Sequence, residues 1–97
     1  MSRSIIKGNM KGMCYICKRF GQTEEHHIFR GKNRKRADAD GLKVYLCHFC
    51  HNEPPNGVHY NKRRNTQLKQ IGQRTWMATY NKTVDDFIRA YGRNYLD

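Results

Sequence analysis

Long apolar runs are missing from this chain, and acidic residues are scarce. Nowhere does the sequence hold the roughly 20 consecutive apolar residues of a membrane-spanning helix. Residues 1–20 also lack the shorter apolar stretch of a secretory leader. A membrane protein and a disulfide-stapled secreted domain are therefore not expected, and a cytosolic setting with reduced thiols is. Apolar material is sparse throughout, at 37% hydrophobic residues and a mean hydropathy of −0.98. In a single domain of 97 residues, that composition supports only a small core, so something besides apolar burial has to help hold the fold.

Eight Asp and Glu stand against nineteen Lys and Arg, a formal net charge of +11. A zinc ion on four thiolates would lower this only to about +9. So large a surplus in a short chain favours a polyanionic partner, most simply nucleic acid, because Lys and Arg contacts to phosphates release condensed counterions. A solvated basic surface that merely aids solubility is the plainer reading of the charge alone.

Cysteine supplies the missing staple. Cys14 and Cys17 form one Cys-x-x-Cys pair, and Cys47 and Cys50 form a second after 29 intervening residues, 18–46. Two such pairs make one structural zinc site a better account than buried free thiols. Between them lies Glu24-Glu25-His26-His27-Ile28-Phe29, and His51 directly follows the second pair. A histidine pair inside the loop that zinc would close, with a further histidine just beyond it, points to a second site that does chemistry.

The first twelve residues hold Lys7, Gly8, Lys11 and Gly12 with little pattern and read as a flexible basic arm. Residues 24–30 have the composition of a short strand ending at Gly31. Successive strand side chains point to opposite faces, so His26 and His27 cannot both face one ion, although they can divide the labour of binding and proton transfer. Residues 30–36 carry Arg30, Lys32, Arg34, Lys35 and Arg36 around a glycine; so dense a run stays out of a core and is expected in a loop that tracks a phosphate backbone. Asp38-Ala39-Asp40-Gly41 reads as a turn. Leu42, Val44 and Leu46 alternate as one face of a second strand, which completes a hairpin and delivers Cys47 and Cys50 to the first knuckle.

Pro54-Pro55-Asn56-Gly57 must turn. A helix beginning near Asn56 or Asn61 follows, basic from Lys62 to Arg74, with Lys62, Arg63 and Arg64 as further candidate phosphate contacts. Its apolar positions, Leu68, Ile71, Trp76, Met77 and Tyr80, scatter around the wheel, and Gly72 interrupts it, so it is expected to bend or end early. The last helix, about 83–92, has clearer signals. Thr83 can cap it with Asp86 at the capping-box position, Val84, Phe87, Ile88 and Tyr91 follow helical spacing, and Gly92 stops it.

These features together resemble the zinc-stapled HNH endonucleases of the ββα-metal superfamily. The resemblance covers about residues 13–70, within a domain spanning 13–97. His-His-Ile-Phe and Gly-Val-His-Tyr-Asn also look like segments of the short HNH proteins of phages and prophages. The resemblance implies a small α+β, treble-clef-like domain bound to zinc, here with an additional C-terminal helix. It implies that His26 binds a divalent ion, that His27 is the general base, and that His51, His59 or both complete the ion site. Pro54-Pro55 widens the gap between those last two histidines to eight residues. Asp40-Gly41 stand where the family's bracing asparagine should fall, leaving Asp40, Asn33 and Asn52 as candidates for that role.

Such a site would hydrolyse phosphodiesters of DNA and leave a 5′ phosphate. Histidine accepts a proton near neutral pH, and Glu24 or Glu25 could orient an imidazole through its other nitrogen. A divalent ion, magnesium or manganese, with zinc or nickel also suited to histidine ligands, would polarise the phosphoryl oxygen, and Arg30 would contact the phosphate. A non-catalytic zinc module that grips nucleic acid would need the cysteines and the charge but not His26, His27 and a third histidine. A third class, a subunit that recruits other proteins, would use Trp76 and the final helix as its docking face.

Overall fold

The computed structural model describes residues 3–96; Met1 and Ser2 of the expected arm, and Asp97, lie outside them. Two antiparallel strands, β1 (Glu24–His27) and β2 (Lys43–Leu46), form the sheet. Four helices complete this α+β domain: α1 (Arg34–Asp40), α2 (His48–Asn52), α3 (Lys62–Tyr80) and α4 (Val84–Tyr91). The hairpin register pairs Glu24 with Leu46, Glu25 with Tyr45, His26 with Val44 and His27 with Lys43. Leu42, Val44 and Leu46 are fully buried, as their alternation implies. No helix among the described residues is long and apolar enough to cross a membrane.

Five local expectations change. Residues 3–12 are not a loose arm. They lie along β2, where Ile5 N–H donates to Gly41 O at 2.9 Å, Ser4 Oγ donates to Lys43 O at 2.6 Å and Asn9 Oδ1 accepts from Tyr45 N–H at 2.8 Å. Ile6 enters the core. The first strand ends at His27 rather than at residue 30, because Ile28 and Phe29 turn inward and are buried. The basic run is a 3-10 turn (Gly31–Asn33) and then α1 rather than a loop. Its charged side chains do stay exposed, while Ala37 alone is buried in the core. Gly41, in the left-handed conformation at φ 81°, ends the helix by donating to Ala37 O and Asp38 O, so 38–41 is a helix terminus and not a free turn.

The fifth change concerns Gly72. Rather than ending there, α3 runs unbroken for 19 residues from its Asn61 cap, whose side chain accepts from Arg64 N–H at 3.0 Å. Glycine serves close approach. A Cβ at residue 72 would stand 3.1 Å from Ile28 Cγ2 and 3.2 Å from Phe29 Cε2, so the absent side chain is what lets α3 lie against the residues that follow the histidine pair. The buried stripe of α3 is Leu68, Gly72, Gln73 and Trp76. Gln73 survives there because its amide donates to Asn94 Oδ1 at 2.7 Å and accepts from Tyr95 N–H at 2.8 Å.

The last helix follows its sequence signals. Thr83 and Asp86 form the reciprocal capping box, and Gly92 terminates α4 at φ 95°. Phe87 and Tyr91 are buried against Phe29 and Trp76, with Phe29 ring centroids 5.5 Å from Phe87 and 4.9 Å from Tyr91. Val84 and Ile88 remain more than a third exposed. Asp40 ties this cluster to α1 by accepting from Trp76 Nε1 at 3.0 Å and Tyr91 OH at 2.7 Å.

Candidate metal centres

The first centre is the thiol cluster. Cys14 opens a tight turn in which its own N–H donates to Arg19 O and its carbonyl accepts from Lys18 N–H, both at 2.9 Å; Lys18 adopts a left-handed φ of 66°. Tyr15 N–H donates to Tyr45 O at 2.8 Å, which fixes this knuckle to β2. Cys47 begins α2 as its N-terminal flank, and Cys50 lies within it. The four Sγ atoms lie within 4.8 Å of one another, and Cys17 and Cys47 are 3.7 Å apart. Tetrahedral Zn–S bonds of about 2.3 Å separate thiolates by about 3.8 Å, whereas a disulfide holds them at about 2.05 Å. The cluster thus fits a structural metal such as zinc.

Its electrostatics agree with the geometry. Burial works against the Cys14 thiolate, yet amide donors from Cys17, Cys47 and Ile16 bring its pKa down to about 6. Burial and the neighbouring Cys14 and Cys47 push Cys50 up to about 12. Four thiolates this close need a cation among them. Arg64 takes part here: its guanidinium reaches Cys50 Sγ at 4.0 Å.

The second centre joins β1, α2 and the loop before α3. His26, His51 and His59 offer ring nitrogens within 4.8 Å of one another, so both histidines left open by the sequence face His26. Ring centroids are 5.1 Å for His26–His51 and 5.2 Å for His26–His59. His26 is 3% exposed, and among the described residues its Nε2 has no hydrogen-bond partner. A buried orphan of this kind costs about 1–3 kcal/mol unless something binds it. Burial first, then the nearby His51, His59 and Arg30, depresses its pKa to about 3, so the imidazole stays neutral with a lone pair to offer.

Glu24 supports the second ligand. It accepts from His51 Nδ1 at 2.8 Å and from Asn52 Nδ2 at 3.1 Å, which directs the His51 lone pair to Nε2, 2.9 Å from His59 Nε2. Glu24, on the same strand face as His26, is therefore the carboxylate that orients an imidazole here. Of the candidate braces, Asn52 is the one beside the histidines. Asn33 instead caps Tyr91 O at 2.9 Å, and Asp40 anchors the aromatic cluster.

His27 points to the opposite face of β1, as strand geometry requires, yet both histidines line one cleft of about 490 Å³ with Glu25, Arg30, Arg34, His51 and His59. Its Nε2 lies 3.2 Å from Asp38 Oδ1 and 3.6 Å from Glu25 Oε1, and Lys43 Nζ donates to Asp38 Oδ1 at 2.8 Å. Neither Asp38 nor Lys43 stood out in the sequence as a site residue. Lys43 was detectable in principle, since it alternates with Leu42 and Val44 and so shares the His27 face; Asp38 carried no signal, being reached only through the fold of α1.

The basic residues divide by location. Arg30 bonds to His59 Nδ1 at the cleft edge, Arg34 lines the cleft, and Lys35 lines an adjoining one with His27 and Asp38. Lys32 and Arg36 are exposed nearby in the chain, whereas Lys62 and Arg63 are exposed at the start of α3. Fold and site together define a small α+β domain with a four-cysteine cluster that fits a structural metal and a separate histidine cluster. No protein-family model matches the chain, and neither a curated protein nor a solved structure matches it.

Proposed function

We propose that this chain is a metal-dependent endonuclease of the HNH kind that hydrolyses phosphodiester bonds of DNA. The observation that carries the reading is the orphaned Nε2 of buried His26, which faces His51 and His59 across a cleft that also holds His27 and Arg30. Although the 3-10 turn and α1 lie between the two strands, His26 on the first strand and His51 on α2, directly after the second, follow the strand–strand–helix order of a ββα-metal site.

In this reading His26, His51 and His59 hold one divalent ion. Bound there, the ion would polarise a phosphoryl oxygen and stabilise the leaving 3′ oxygen. Three imidazoles suit Mn²⁺, Ni²⁺ or Zn²⁺ better than Mg²⁺, which prefers oxygen ligands. His27, on the other face of β1 from His26 but lining the same cleft, takes the proton from the attacking water. Arg30 pairs with the phosphate, and Arg34 and Lys35 follow the adjacent backbone.

The test is cleavage of plasmid and branched DNA by zinc-loaded protein, with manganese, magnesium or nickel added. His27→Ala should keep fold, zinc and DNA affinity while cleavage falls roughly a hundredfold or more. His26→Ala should lose cleavage together with affinity for the second ion. Parent protein that binds DNA but cuts none with any of these ions would instead be a non-catalytic nucleic-acid-binding module.

A further inference from the structure

Lys43 is a lysine only 4% exposed, a state that ordinarily requires a partner for its charge. It stands opposite His27 in the hairpin register, and its ammonium is 2.8 Å from Asp38 Oδ1 and 3.9 Å from Glu25 Oε2. We propose that Asp38 is a positioning residue for His27: it holds the imidazole in the Nε2–H tautomer, so that Nδ1 is left to receive the proton, and Lys43 is the buried counter-ion that keeps the Asp38 carboxylate in place. This rests on the reading of His27 as the general base.

The bond polarity follows from the groups themselves. An ionised carboxylate only accepts, so a ring nitrogen 3.2 Å from Asp38 Oδ1 must carry the hydrogen. A neutral imidazole with its hydrogen on Nε2 has its lone pair on Nδ1. Among the described residues, the protein contacts to the His27 ring nitrogens are all at Nε2. When Nδ1 takes a proton from water, the resulting imidazolium lies beside Asp38 and Glu25, as the histidine of a serine-protease triad lies beside its aspartate.

Asp38 is better placed for this than Glu25. Its carboxylate is nearer to Nε2, by 3.2 Å against 3.6 Å, and its helix is docked: Ala37 is fully buried and its carbonyl accepts from Leu42 N–H at 2.8 Å. Glu25, Asp38 and His27 also sit close enough to hold a cation. Lys43 argues against that use, because its ammonium already occupies the position between the two carboxylates and would repel a dication.

The tautomer can be read directly by long-range ¹H–¹⁵N spectra of the imidazoles at a pH of about 8, above the ordinary titration range of histidine. The sample is full-length protein with zinc on its thiolates and no other metal, with His27→Gln to assign the signal. The parent should show His27 as the Nε2–H tautomer. Asp38→Asn, whose amide can donate as well as accept, should shift it toward Nδ1–H and lower kcat roughly 10–100-fold with KM unchanged. Asp38→Glu should recover part of the rate. Should the stranded Lys43 impair folding of Asp38→Asn, Asp38→Asn/Lys43→Met removes that charge and is held to the same expectation. A parent already in the Nδ1–H form, or a variant that changes neither tautomer nor kcat, overturns the role of Asp38. A parent that shows the Nε2–H form but cuts no DNA overturns the nuclease reading and leaves the Asp38–His27 pairing standing.

Discussion

Removing the thiolate-bound metal should unfold this domain rather than merely silence it. A domain of this length carries a net stability of about 5–15 kcal/mol. Structural zinc in zinc-finger peptides contributes about 10–16 kcal/mol at pH 7, so its loss rivals or exceeds that whole margin. The geometry makes the dependence specific: Cys14 and Cys17 belong to a knuckle outside the sheet, while Cys47 and Cys50 flank and enter α2 directly after β2. Without metal, the knuckle is left with the Tyr15 N–H to Tyr45 O bond and the packing of Cys14, Tyr15 and Ile16 on the small core. Cys47→Ser should therefore give protein with little native far-UV circular dichroism at 25 °C, and titration of the parent with a strong chelator should lose zinc and helical signal together. Protons compete for the same sulfurs, so the chelator should act more readily as pH falls. Folded protein with no tightly bound zinc, or zinc-stripped protein that melts where the parent does, would refute the argument.

Gly72→Val should destabilise by about 1–3 kcal/mol, because the new side chain meets Ile28 and Phe29 at distances the packed helix cannot open without shifting the strand. In a domain this size each kcal/mol lowers Tm by about 4–8 °C, and a variant melting at or above the parent would contradict the close-packing account. Neutralising Lys32, Arg34, Lys35 and Arg36 together should weaken DNA binding for all sequences alike. The slope of log affinity against log salt should flatten by nearly one unit for each phosphate that is no longer neutralised; an unchanged slope would mean these four charges are only solvated.

Where the controlling interactions are local, the sequence could be read directly. The box between Thr83 and Asp86 and the alternation of Leu42, Val44 and Leu46 depend on near neighbours, and both elements lie where those patterns put them. The path of α3 depends on distant ones. Its buried face includes Gln73, acceptable only because Asn94 and Tyr95 return to meet it, and Gly72, useful only because Ile28 and Phe29 press there. The basic run misled for a related reason: its charge spoke for exposure, which holds, but not against helix, and one buried alanine with a terminal glycine was enough to wind it. At the site, two-residue strand periodicity separated His26 from His27. It could not say that His51 and His59 would both reach His26, since that depends on how the Pro54-Pro55 turn folds back, with Val58 N–H donating to Cys50 O at 2.8 Å and His59 N–H to His51 O at 3.3 Å.

The aromatic cluster behind the hairpin bears on how far this domain can be trimmed. The histidine-bearing strand is four residues long and is followed at once by Ile28 and Phe29, which rest on Gly72, Phe87, Tyr91 and Tyr95. The C-terminal helix is thus the backing plate of the candidate cleft rather than an appendage to it. A fragment ending near residue 70 would retain all four cysteines and all five histidines, yet it would lose the Gly72, Phe87, Tyr91 and Tyr95 contacts that hold Phe29 just after the histidine pair. The shortest transplantable unit therefore runs through Tyr95, and shorter ones would keep the four cysteines without the backing that positions the histidine pair.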